Sequence, residues 1–260
     1  MAGFLFAFAL LAPSPCADAG RSIEPPSEPP PLDANTWYGS LYDWAGGYEV
    51  SPLGVGHLTL EGREDIWDWW MKVALPLYES PGGEASAWFV NGWLVDAPGN
   101  PVPMGTAGMV ETGYETMSFV VVEHNDDGWI RFLYGKPDGN RDGTAWTHRC
   151  HLEEQGLRFE SWEERFTSGQ ISPLHFRSEV RHALRAGPDE TAERLQWIGG
   201  NHHLEPIEFR GDWMKARVTQ PSNYCVGDAI ETEKREGWMR WRSQDIQDKG
   251  PWVWYFTRGC

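Results

Sequence analysis

The stretch HALRAGPDETAERL, His182–Leu195, decides how the chain is read. It opens as a short apolar strand, breaks on Gly187-Pro188 and continues as a charged loop. Proline has no N–H for a strand ladder, and glycine accepts backbone conformations that other residues avoid, so the pair stops the strand and turns the chain. A strand and loop of this kind in mid-chain raises the question of whether the same unit occurs earlier.

Three signals recur in order. Val73–Gly83, VALPLYESPGG, has an Ala-Leu strand start and then a Pro and Gly loop, like His182–Glu190. Val120–Gly135, VVVEHNDDGWIRFLYG, resembles Glu205–Val218, EPIEFRGDWMKARV: an apolar-Glu run, an Asp/Gly turn, a Trp, then alternating apolar and basic residues. GTAWTHRC at Gly143–Cys150 and EGWMRW at Glu236–Trp241 each place a Trp shortly after a Gly in a final short strand. The ordered set predicts a duplicated unit, with an insertion around DAPGNPVPMGTAG, Asp96–Gly108, in the first copy.

The surrounding pattern is one of strands. Short β-branched or aromatic runs such as SAWFVNGWLV and ETMSFVVVEH are bounded by SPGG, NDDG and KPDGNRDG, which are hairpin and turn chemistry. In WMKARV, Met214, Ala216 and Val218 face one way and Trp213, Lys215 and Arg217 the other. GWIRFLY alternates in the same way, Ile130, Phe132 and Tyr134 against Trp129, Arg131 and Leu133. LRFESWEERF, Leu157–Phe166, fits either a short helix or a bent strand. The fold class is all-β.

The motifs together resemble the bacterial SH3-like (SH3b) family, whose members read as an (V/A)LR-x-GP strand and loop, a V-x-V(L)-x-x-x-x-(D/G)-W-x-K-V hairpin, and G-W-V. The second copy fits through ALRAGPDE, LEPIEFRGDWMKARV and EGWMRW; the first lacks the Arg after Leu75. The resemblance implies two small SH3-like β-barrels in tandem, over 68–152 and 174–260, with 153–173 as connector and 35–67 as an accessory segment. It also implies a non-catalytic protein that recognises cell-wall peptide or an envelope protein. In such barrels the groove is built from the first long loop, the hairpin and the last strand. The matching positions are Tyr78, Trp129 and Trp146 in the first copy and Trp197, Trp213 and Trp238 in the second. These rings fit an exposed groove and a packed core equally well.

The N-terminus points to export. Gly3–Ala12, GFLFAFALLA, is an apolar run too short for a bilayer, which needs about 20 residues. It is followed by PSP and by Ala17-Asp18-Ala19, an A-x-A cleavage signal, so residues 1–19 read as a signal peptide. Residues 20–34 are a Pro-rich linker that cannot form a core. The mature chain is then periplasmic or extracellular, with no membrane insertion. A formal charge of −16 disfavours nucleic acid, because the chain repels phosphates.

Cleavage leaves Cys150, Cys225 and Cys260, and a Cys225–Cys260 disulfide is the expected pair. No CxxC spacing exists, and adjacent His202 and His203 face opposite ways on a strand, so neither a metal nor another cofactor is expected. Two other classes stay open. One is a wall- or glycan-cleaving hydrolase using carboxylates such as Glu163 or using Cys150, which His148 and His151 flank. The other is a carbohydrate-binding module, drawn from the chain's 16 Trp residues.

Overall fold

A computed structural model describes residue 16 and residues 53–62, 69–96, 99, 101–103, 109–114, 116–134, 143–169, 171, 173–220, 233–243, 250–255 and 257. The described residues form two antiparallel sheets, in agreement with the all-β reading. In the first half the strands are β1 (Gly56–Leu60), β2 (Ala74–Tyr78), β3 (Ala85–Val90), β4 (Trp93–Asp96), β5 (Pro101–Pro103), β6 (Met109–Gly113), β7 (Thr116–His124), β8 (Trp129–Tyr134), β9 (Gly143–His148) and β10 (Leu157–Ser161). In the second half they are β11 (Leu174–Phe176), β12 (His182–Arg185), β13 (Arg194–Ile198), β14 (His203–Arg210), β15 (Trp213–Gln220), β16 (Glu233–Arg240) and β17 (Val253–Trp254).

The two sheets share one strand order. The first sheet runs β10-β1-β7-β8-β9-β2-β3, and the second runs β17-β11-β14-β15-β16-β12-β13. Strands β4 and β5 extend the first sheet beyond β3, and β6 pairs with β7, so the extra elements fall where the sequence has its insertion. The irregularities coincide too. A bulge lies between Leu77 and Tyr78 in one half and between Leu184 and Arg185 in the other. A second lies between Val121 and Glu123, matched by one between Pro206 and Glu208. The bulges fix the equivalence and correct the sequence alignment by two residues: Leu77-Tyr78, not Leu75-Pro76, stands where Leu184-Arg185 stands. A shift of two leaves every side chain on its own face, so the apolar alternation could not reveal it.

Among the described residues neither sheet closes into a barrel, which corrects the expectation of two small barrels. The physical reason is a shared core. Val120 and Leu133 of the first sheet and Leu184, Met214, Ala216 and Met239 of the second bury into one cluster with Trp162, Phe166, Trp241 and Trp254. Each sheet covers an apolar face with the other half, not by wrapping on itself. A second cluster, with Leu58, Leu75, Phe89, Phe119 and Phe132, belongs to the first half alone. Strand β8 is therefore buried on both faces: Ile130 and Phe132 in the second cluster, Leu133 in the shared one, and Trp129 against Tyr78.

The segment read as a connector builds this joint. Leu157–Ser161 is strand and Trp162–Thr167 is helix, so LRFESWEERF contains both alternatives in succession. Ser161 makes the switch: its side chain accepts from the Glu164 N–H, and Glu164 accepts from the Ser161 N–H at 2.8 Å, a capping box. The helix lays Trp162, Arg165 and Phe166 inward. Strand β10 pairs with β1, which lies in the segment read as accessory.

Gly54 shows how tightly that entry is built. It has φ +58, and an added Cβ would sit 2.1 Å from the Val121 carbonyl oxygen, which accepts from Val55 N–H. Gly54→Ala should lower the melting midpoint by about 5 °C or more, read by circular dichroism, from left-handed strain plus the clash. An unchanged midpoint would contradict this local geometry.

Candidate ligand-binding surface

Six aromatic positions singled out by sequence fall on equivalent or neighbouring sites of the two halves. Tyr78 pairs with Trp146 across β2 and β9, and Arg185 pairs with Trp238 across β12 and β16. Trp129 pairs with His148, and Trp213 pairs with Arg240. Thus Trp129 and Trp213 are equivalent, Trp146 and Trp238 are equivalent, and Tyr78 and His148 stand where Arg185 and Arg240 stand. Trp197 is opposite Ala183, which makes Trp88 its counterpart opposite Pro76, and not Tyr78.

In the first half this spot is filled from within. Tyr78 and Trp129 are buried and meet edge to face with centroids 5.0 Å apart, against Ala85 and the half-buried Trp146. The Tyr78 hydroxyl lies 3.1 Å from His151 Nε2, and burial raises its pKa. His148 sits at the edge of Trp129 and accepts from the Cys150 N–H as the N-cap of a helix, α1 (Arg149–Glu154). Arg131 lies over Trp146 and pairs with Glu123 at 2.9 Å.

The second half is more open and charged. Trp197 is 45% exposed, with the Arg194 guanidinium 4.7 Å above its ring. Trp213 is half-buried under Arg240 at 4.9 Å, and Trp238 is buried under Arg210 at 4.9 Å. Two guanidiniums converge on one carboxylate: Arg185 Nη2 donates to Glu190 Oε2 at 3.1 Å, and Arg240 Nε donates to Glu190 Oε1. The Arg240 hydrogen bond, with the charges of Arg240 and Arg185, holds the Glu190 carboxyl below its usual range. Glu190 arrives on the loop after Gly187-Pro188. Ala186 N–H donates to Glu193 O at 2.9 Å, and Asp189 Oδ1 accepts from the Thr191 N–H and hydroxyl, each at 2.6 Å.

Two other clusters carry reactive groups. His57 Nε2 donates to Glu160 Oε2 at 2.8 Å inside the joint, and Arg158 Nη2 donates to Glu160 Oε1 at 2.7 Å. Arg165 lies 3.9 Å from Glu160, donates to Thr112 O and contacts the Tyr255 hydroxyl. His57 stacks on Trp162 with centroids 4.9 Å apart. Sequence gave no sign of this pair: 103 residues separate its members, and no local spacing links them. Burial lowers the His57 pKa more than Glu160 raises it, so His57 is the neutral donor and the arginines supply the positive charge.

Cys150 is bonded to Cys16, with Cα atoms 5.4 Å apart. Its partner is thus the cysteine that the leader reading assigns to residues 1–19. The expected Cys225–Cys260 pair lies outside the described residues. His151 stands beside the bonded sulfurs, within 4.8 Å, but in a disulfide neither sulfur is a thiolate nucleophile or metal ligand. Glu163 is spent in the first turn of α2 (Trp162–Thr167), 3.7 Å from Arg242.

No protein-family model matches the chain, and a search of curated proteins finds no match. What the surface does is therefore argued from its geometry.

Proposed function

We propose that the protein is an exported, non-catalytic binding protein whose two SH3-like units recognise a cell-envelope ligand, a cell-wall peptide or an envelope protein. The observation that carries this reading is the recurrence of one aromatic pair at one register: Trp129 and Trp146 in the first half, Trp213 and Trp238 in the second. The half-exposed Trp213 and exposed Trp197 give the second unit the accessible rings that a binding surface needs. A disulfide also fits an exported protein. The hydrolase alternative is weakened because Cys150 is bonded and Glu163 faces Arg242. The carbohydrate-platform alternative needs a flat row of exposed Trp, and Trp197, at 45%, is the sole exposed Trp among the described residues.

The test is sedimentation of the purified protein with isolated peptidoglycan. The wild type should be enriched over a control protein, and Trp197→Ala combined with Trp213→Ala should weaken retention about tenfold or more while the melting curve stays single. No enrichment of the wild type would overturn the wall ligand.

A further inference from the structure

We propose that Arg185 and Arg240 form a carboxylate-binding site that the protein's own Glu190 occupies, and that a peptide with a free C-terminal carboxylate binds by displacing it. The inference deepens the binding reading and rests on it.

The two guanidiniums belong to the sheet, and the acid is a visitor. Arg185 and Arg240 sit on adjacent strands, and their side chains are each 20% exposed, whereas the Glu190 side chain is 54% exposed at a loop. Each arginine has further anchors that remain when Glu190 leaves. Arg185 Nη1 donates to the Ala192 carbonyl at 2.9 Å, and Arg240 stacks on Trp213 and lies 3.6 Å from Asp212. Planar guanidiniums held in place are the side chains best matched to a carboxylate.

Comparison within the molecule indicates that the fold itself does not require the charges. At the same register the first half has Tyr78 and His148, packed around Trp129 without an acid from the loop. The duplicated unit folds either way, so the arginine pair is a property of the second surface and not of the scaffold. The half-exposed Trp213 beside Arg240 supplies an apolar flat for the side chain next to the ligand's carboxylate. Exchange of one carboxylate for another leaves the local charge unchanged, and at physiological salt the chain's net charge of −16 is screened beyond about 8 Å. While Glu190 holds the site, apparent affinity is reduced by the fraction of molecules that are open.

The experiment titrates wild type, Glu190→Gln and Glu190→Ala with N-acetyl-Ala-Ala and with its C-terminal amide, following the indole N–H signals of Trp213 and Trp238 by NMR. The acid should bind both Glu190 variants about tenfold or more tightly than wild type. The amide should shift neither signal, and adding Arg240→Gln to Glu190→Gln should abolish the response. Equal affinity of wild type and both variants for the acid, or equal binding of acid and amide, overturns the proposal. If wild type is enriched on peptidoglycan but the Glu190 variants show no carboxylate preference, this inference fails and the binding reading stands. If the variants prefer the acid but peptidoglycan does not retain the wild type, the carboxylate site stands and the wall ligand is rejected.

Discussion

Trp162→Ala should destabilise both halves together, by about 3–5 kcal/mol, in a single unfolding transition. Trp162 is fully buried in the cluster that contains Val120 and Leu133 of one sheet and Leu184 and Met214 of the other. Its ring lies against His57 on the first-half side and meets Trp254 of the second half edge-on at 4.9 Å. Its Nε1 donates to the Leu53 carbonyl at 2.6 Å. Truncation to Ala leaves a cavity at the joint and a buried carbonyl without its donor, and both costs fall on the two halves at once. Denaturant unfolding followed by Trp fluorescence and by far-ultraviolet circular dichroism should give coincident curves for wild type and variant, displaced to lower midpoint. Two resolved transitions in the wild type, or a loss under about 1 kcal/mol, would show that the halves are independent.

Glu160→Gln should be nearly as damaging, about 3 kcal/mol, and should change how stability depends on pH. Burial pushes the Glu160 carboxyl up, but the hydrogen bonds from His57 and Arg158, with the Arg158 charge, outweigh it and hold the pKa at about 2. Removing the charge takes away the carboxylate that lies 3.9 Å from the buried Arg165. The sign follows from linkage. A carboxyl whose folded pKa lies below its ordinary 4.5 adds stability above pH 4.5 and loses it as pH falls toward 2. Burial also lowers His57, His151, His175 and His182 from 6.5, so the unfolded chain takes up protons first as pH drops. Wild-type stability should therefore decline from pH 6.5 downward and fall further between pH 4.5 and 2. Glu160→Gln should keep the first decline and lose much of the second. A wild type equally stable at pH 7 and pH 5 would contradict the burial of these imidazoles.

How much of this was legible in the chain depends on distance along it. Hairpins and turns were, because NDDG before Trp129 and RGD before Trp213 fix local geometry. The alternation in WMKARV was also readable, and Met214, Ala216 and Val218 are buried as that pattern requires. Order of motifs anticipated the matching strand orders of the two sheets, although its register was off by two in β2 for want of any signal beyond alternation. The joint was not readable. Whether LRFESWEERF bends as strand or coils as helix depends on the cap at Ser161 and on a partner sheet that arrives from far away. Likewise Tyr78 and Trp129 read as groove or core alike, and which they are depends on Ala85 and Trp146 packing beside them. The convergence of Arg185 and Arg240 on Glu190 spans 50 residues between Glu190 and Arg240, beyond the reach of any local pattern.

The Cys16–Cys150 bond has a mechanical meaning as well as a chemical one. It ties together residues 134 positions apart, so the chain from 16 to 150 is a covalent ring. A pull applied between the two ends of the oxidised protein passes through the bond and bypasses that ring. Roughly 450 Å of contour length is hidden from tension, and the extensible load path runs through the second half, where the Arg185–Arg240 surface lies. Under such a pull the unit with the open surface yields first, while the first half stays looped behind its sulfur bridge.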